Sequence, residues 1–166
     1  MESGDDVVLK AVNKGVSGPE AIEAGKRVVE AGIKLSLMVI LGLAGAEGSD
    51  RHARETARAI NEIKPNMLSA LTLMLYRGSE LLDQYEKGEF SPLAPQGIML
   101  ELHKIISLVE LPPEDHCLFR SNHVSNYVQL AATLPKDKAR LLAQIAQAAS
   151  ELGKMKNWDV YNNTRY

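Results

Sequence analysis

Leu35-Ser36-Leu37-Met38-Val39-Ile40-Leu41, ending on Gly42, is apolar at every position but Ser36 and too short for a helix of ordinary length. A short run that is apolar on both faces fits a buried parallel strand better than a half-exposed antiparallel one. Upstream, Ser17-Gly18-Pro19-Glu20 opens a helix. Ser17 is the expected N-cap, Pro19 suits the first turn, and Glu20 favours the positive end of the dipole. Ala21, Ile22, Gly25, Val28 and Val29 recur at helical spacing until Gly32 stops them. Further back, Asp5 or Asp6 caps a short helix through Asn13, with Gly15 just past its end.

Downstream, Gly42 to Gly48 reads as a glycine-rich loop. Ser49 or Asp50 then caps a helix carrying Ala53, Ala57, Ile60 and Ile63 on one face, and Pro65 ends it. Leu68–Leu75 is a second apolar strand, and its spacing from Leu35 is that of one βαβ unit. Tyr76 to Ser79 turns into a helix through about Lys87. A loop with Pro92 and Pro95 leads to a long helix through Val109, which Pro112-Pro113 breaks. Cys117–Arg120 is a third short strand, followed by the polar run Ser121 to Tyr127. A helix over Lys136–Leu152 places Leu142, Ile145 and Ala149 inward, and residues 153–166 read as a polar, disordered tail. Strands alternating with helices predict one α/β domain over residues 1–152, with two to three parallel strands and covering helices. So small a parallel sheet needs cover on both faces and both edges, so part of something larger is expected.

Composition narrows the function. The chain has 166 residues, 45% hydrophobic and 24% charged, with a net charge of −2. That balance gives no electrostatic reason to expect nucleic acid or an anionic membrane as partner. Residues 1–10 carry Glu2, Asp5 and Asp6 where a signal peptide would be basic, and a single cysteine, Cys117, fits a reducing cytoplasm. His52, His103 and His116 share no metal-site spacing. Neither a P-loop ending nor a nucleophile elbow is present.

Five stretches, Glu2–Gly15, Leu37–Gly42, Leu71–Leu81, Phe119–Tyr127 and Leu134–Lys138, together resemble the C-terminal half of a radical S-adenosylmethionine (SAM) Fe–S oxidoreductase. Glu2-Ser3-Gly4, with Leu9 and Asn13-Lys14-Gly15, is similar to the stretch after the family's fourth barrel strand. Leu37 to Gly42 resembles the fifth strand, and Leu71 to Leu81 the sixth strand with its Tyr-x-Gly turn. Phe119 to Tyr127 and Leu134 to Lys138 look like the C-terminal segment of an uncharacterised branch of the family. The resemblance implies a partial TIM-like (βα)₆ barrel, SAM as cofactor, and a 4Fe–4S cluster on a Cys-x₃-Cys-x₂-Cys loop. This sequence holds one cysteine and no such loop. Neither cluster nor SAM is therefore expected on this chain alone, and an N-terminal half-barrel, from the same gene or a split partner, is the expected complement. A truncated piece, a mis-started reading frame and a split-gene product all fit.

The resemblance puts Glu2 and Ser3 on the ribose or methionine part of SAM and Lys14 on its carboxylate. It puts Leu41 and Gly42 beside the adenine. Against these stand a solvated terminus, a lysine favoured by a helix C-terminus, and ordinary strand punctuation. Arg120, Asn122, His123 and Asn126 form a dense polar cluster after a strand and are expected to touch substrate, unless Ser121 or Asn122 merely caps a helix. No residue is assigned as catalytic. The alternative function is a non-catalytic α/β binding or assembly module. An uncovered inward sheet face, including some of Leu37, Val39, Leu41, Leu71 and Leu73, predicts self-association, with a homodimer as the simplest form.

Overall fold

A computed structural model describes residues 1–155 and 158–160. Along the chain, α1 (Asp6–Ala11) and α2 (Gly18–Glu30) precede β1 (Ser36–Leu41), α3 (Gly45–Ile63) and β2 (Met67–Thr72). Then come α4 (Glu80–Glu86), α5 (Pro95–Leu108), β3 (Cys117–Ser121), β4 (Leu130–Leu134) and α6 (Lys138–Leu152). The strands form one sheet in the order β1-β2-β3-β4. β1, β2 and β3 are mutually parallel, so the two runs read as a βαβ unit are adjacent and parallel as expected. β4 pairs antiparallel with β3 at the edge and was not anticipated. Its five residues are bounded by no glycine hairpin, and the polar run before them hides the return. The sheet thus has four strands, one more than the upper expectation, and mixed pairing.

Burial on both faces, expected from the apolar runs, gives way to alternation. Leu37, Leu68, Phe119 and Ala132 lie in one register row across the sheet, and all are buried. They pack with Ile60, Ile98, Leu102, Ile105 and Ile145 from α3, α5 and α6 in a single core. Each fully buried large side chain there contributes roughly 1.5–3 kcal/mol. Among the described residues no helix packs on the opposite row, Met38, Ser69, Arg120 and Ala131, and Met38 is 48% exposed. Helices cover one face. Leu37, Val39 and Leu41 therefore belong to the core, and the open face carries Met38, Ile40, Met67 and Leu118 instead. A strand's period of two allows one face only to each side chain, and sequence hydropathy does not say which.

Local signals hold at several ends. Ser17 and Glu20 form a reciprocal capping box at α2. Asp5, the first of the two candidates, caps α1 by accepting from the Val7 N–H at 2.9 Å. The start of α3 differs. It begins at Gly45, five residues before Asp50, with no side-chain cap at Ala44. The carbonyl of Ser91 accepts the Ala46 N–H at 2.7 Å and does a cap's work from a distant loop. β2 stops at Thr72, and Leu75 turns into a second small cluster with Leu82 and Val160. The tail expected over 153–166 lies partly outside the described residues. Within them, Trp158 and Val160 pack on that second cluster.

Candidate functional site

The C-terminal ends of β1 and β2 gather the polar groups of interest, starting with the first residues of the chain. The Ile40 N–H donates to the Glu2 carbonyl at 2.9 Å, so residue 2 lies along the outer edge of β1. The next residues cross α3 closely. The Gly4 N–H donates to Thr56 Oγ1 at 3.1 Å, and a Cβ on Gly4 would stand 2.3 Å from the Glu55 carbonyl oxygen. Only glycine fits there. Ser3 Oγ lies 2.8 Å from His52 Nδ1 and accepts the Asp5 N–H at 2.9 Å. Arg51 holds Asp5 at 2.7 Å. The Ser3 hydroxyl can donate to Nδ1 or accept from it, so this bond serves either tautomer of a neutral His52.

A buried carboxylate meets the same spot from the other side. Glu101 of α5 accepts the Gly42 N–H at 2.7 Å on Oε1 and the Ser49 hydroxyl at 2.5 Å on Oε2. His52 Nε2 points at Oε1 from 3.7 Å, beyond hydrogen-bond reach, and has no hydrogen-bond partner among the described residues. Burial pushes Glu101 up to about 7, against the bonds from Ser49 and Gly42. Burial also pushes His52 down to about 4, against the charge of Asp5 and the backbone of Ile40. Near neutrality the histidine is uncharged, so the pair is a polar contact and not a salt bridge.

A second polar cluster fills a gap in the sheet. β2 pairs with β3 only from Met67 to Ser69, while its partnership with β1 runs on to Thr72. Where β3 leaves, loop residues take over its hydrogen bonds. Asn126 Nδ2 donates to the Ala70 carbonyl at 2.9 Å, and Ser125 Oγ accepts the Thr72 N–H at 3.2 Å. Thr72 Oγ1 donates to Asn126 Oδ1 at 3.0 Å, and His123 Nδ1 sits 2.9 Å from Ser125 Oγ. Ser121 Oγ, buried at the end of β3, has no hydrogen-bond partner among the described residues.

The structure brings some candidate residues together and separates others. Lys14 Nζ lies 2.8 Å from Glu2 Oε2, an ion pair at the rim. Ser3 is fully buried and tied to His52, so it is not a solvated terminus. The Leu41 side chain is fully buried on the helix side and its carbonyl accepts the Leu73 N–H at 2.9 Å. Gly42 has φ +80° and spends its N–H on Glu101. Asn122 and His123 are exposed in the loop after β3, Arg120 is exposed on the open face of β3, and Asn126 is half-buried in the gap. Arg120 Nη1 donates back to its neighbour's carbonyl, that of Phe119, at 2.8 Å. Between the clusters, Gly42, Thr72, Leu93, Ile98 and Tyr127 line a crevice of about 20 Å³, the size of one water.

Sequence reasoning missed Ser49, His52, Thr72, Glu101 and Ser125. Glu101 carried a readable signal, because a carboxylate between Ile98, Leu102 and Ile105 is in a run where charge is rarely buried unpaired. His52 beside Ala53, on the apolar stripe of α3, carried a weaker one.

The fold and these clusters define a mixed α/β protein whose sheet is covered on one face and whose polar groups collect at the C-terminal strand ends. No protein-family model matches the chain. It is 31% identical over 138 residues to an uncharacterised protein, MJ0486, of Methanocaldococcus jannaschii, across 83% of this chain and 37% of the relative. In structure it is similar to the archaeal Methanocaldococcus infernus Elp3 with an N-terminal deletion, with a TM-score of 0.60 and 17% identity. That match covers 93% of this chain and 35% of the other, so the chain spans about a third of each of these two proteins. At such identity the likeness to Elp3 concerns the fold. No helix among the described residues is long and apolar enough to cross a membrane.

Proposed function

We propose that this chain is part of a radical SAM enzyme and supplies SAM- and substrate-contacting residues to 5′-deoxyadenosyl-radical chemistry. The observation that carries this reading is the placement of Glu2-Ser3-Gly4 against the edge of β1, beside the Gly42 turn that ends the strand. Those are the two stretches whose sequence resembles consecutive SAM-contacting segments of the family. The fold likeness to archaeal Elp3, a radical SAM family member, supports it further.

In this reading the sheet is an arc of a partial TIM-like barrel. The open face with Met38, Ile40 and Leu71 turns inward, and the C-terminal strand ends form the mouth, where barrel enzymes bind their ligands. Lys14 and Glu2 offer both charge signs to the zwitterionic methionine part of SAM. Ser3, Leu41 and Gly42, committed to internal partners, shape the edge through their backbone. Asn122 and His123 face substrate from the loop and Arg120 from the open face of β3, and Asn126 braces that loop. Bound SAM supplies the radical precursor once a reduced cluster is beside it.

The residues present do not fit a cluster. Cys117 is one thiol where three are needed, it is buried, and burial pushes it up to about 12, far from a thiolate at neutral pH. The cluster ligands belong to another segment of polypeptide, an N-terminal half-barrel of the same gene or of a split partner, and this chain alone is inactive. The test is to read the DNA upstream for a Cys-x₃-Cys-x₂-Cys loop and to express the longest in-frame product, or the pair, anaerobically. With dithionite as electron donor, the expected protein carries roughly four irons and cleaves SAM reductively to methionine and 5′-deoxyadenosine, the added hydrogen coming from substrate or solvent. An iron-loaded protein that leaves SAM intact, or a locus with no such loop, overturns the reading.

A further inference from the structure

The two stretches that the proposed function sets around SAM are not bonded to each other. Ser3 is held by His52, which belongs to α3, and Gly42 is held by Glu101, which belongs to α5. The two side chains meet at 3.7 Å, both fully buried. Glu101 also takes the Ser49 hydroxyl, one turn before His52 on α3, so both helices are locked at this point. A space-filling residue would serve the core as well at lower cost, because a buried carboxylate is expensive to desolvate. Here both carboxylate oxygens are spent on the site, one on the backbone of the Gly42 turn and one on α3.

We propose that His52 and Glu101 are a positioning pair that fixes the residue 2–5 segment and the Gly42 turn at one separation, and so sets the cofactor edge of the mouth. The proposal rests on the SAM reading for what the edge holds, but the pairing itself is independent of it. Neither residue touches the cofactor. They act through Ser3 and Gly42. The charged and titratable groups around them are Asp5 and Arg51 beside the Ser3 segment, and the Asp50–Lys104 ion pair over Ser49 at the rim. Glu101 takes the Gly42 N–H directly at 2.7 Å, so it is the group whose ionisation the Gly42 amide reports.

The experiment uses amide NMR of the 166-residue chain with two variants. Glu101→Gln keeps an acceptor for the Gly42 N–H and reverses the Ser49 bond, its amide N–H donating to the hydroxyl. Glu101→Leu keeps the volume and loses both bonds. In the wild type the Gly42 and Ser49 signals titrate together with a midpoint near 7, and in Glu101→Gln they stay in place without titrating. In Glu101→Leu the Gly42 signal moves, and so do those of Ser3 and Asp5 across the pair. A Gly42 signal that titrates equally in Glu101→Gln, or Ser3 and Asp5 signals unmoved in Glu101→Leu, overturns the pairing. In the assembled, cluster-bearing protein, Glu101→Leu raises KM for SAM about tenfold with kcat little changed, and Glu101→Gln restores it. An unchanged KM in Glu101→Leu overturns the cofactor-edge role. Failure of the wild-type assembly to cleave SAM sinks the proposed function instead, and the amide arm still decides the pair.

Discussion

At the residue scale, Glu101 and His52 pull stability in opposite directions with pH. Glu101 sits at about 7 in the fold against an ordinary 4.5, so the folded state holds the extra proton in between. Its contribution is intact below 4.5 and is lost as pH rises through 7. His52 sits at about 4 against an ordinary 6.5, so the unfolded state holds the extra proton. Its contribution is intact above 6.5 and is lost as pH falls through 4. Each shift is worth about 3 kcal/mol at full span, so the two slopes nearly cancel between pH 4.5 and 6.5. Urea unfolding should therefore show a flat profile there in the wild type. Glu101→Gln should leave the histidine slope, with stability rising with pH, and His52→Gln should leave the opposite one. A wild-type profile as steep as either variant would contradict both assignments. Gly42 is the other sensitive residue. Its φ is +80° and an added Cβ would stand 2.7 Å from Ile98 Cδ1, so Gly42→Ala should cost about 1–3 kcal/mol in the same assay.

At the element scale, two segments are held by side chains in place of regular ladders. The residue 2–5 stretch lies on α3 because Gly4 admits the Glu55 carbonyl, so Gly4→Ala should lift the whole stretch. Hydrogen exchange at the Gly4 and Asp5 amides should then rise to the rate of an open chain while that of β1 and α3 holds. Protection retained at both amides would show that the crossing tolerates a methyl group. Asn126 stands in for the missing part of β3, with one bond to the Ala70 carbonyl and one to Thr72. Asn126→Ala leaves those groups unpaired and should destabilise by about 1–3 kcal/mol, read as a fall in denaturant midpoint at constant slope. Both devices explain polar residues that look, as letters, like ligand contacts.

At the scale of the whole molecule, the open sheet face governs behaviour in solution. Met38 at 48%, Leu118 at 41% and Met67 at 37% exposed lie on one side of three adjacent strands, with no helix among the described residues over them. An apolar face of that kind promotes association. Light scattering at micromolar concentration should give a mass above 18.2 kDa, and Met38→Lys with Leu118→Lys should return it to that value. A monomeric wild type would show that this face is stable in water. Anaerobic reconstitution of the isolated chain should leave it colourless, with no band at about 400 nm, because one buried thiol cannot hold a cluster.

The sequence by itself determined most of the elements, β4 excepted. The Ser17 cap, a cap at Asp5 or Asp6, the apolar runs at 35–41 and 68–75 and the helix between them are set by contacts within a few residues or by periodicity, which the chain order displays. It also carried the motifs that point to the strand ends. Tertiary structure alone decided which face of each strand is buried, since both faces of Leu35–Leu41 read as apolar and only the side on which α3, α5 and α6 settle makes the core. It likewise decided that Ser3, Gly42, Asn126 and Ser49 serve internal partners lying 49, 59, 56 and 52 positions away. Pairings that distant leave no local pattern, because a hydrogen bond across the fold constrains two residues in space and nothing in the sequence between them.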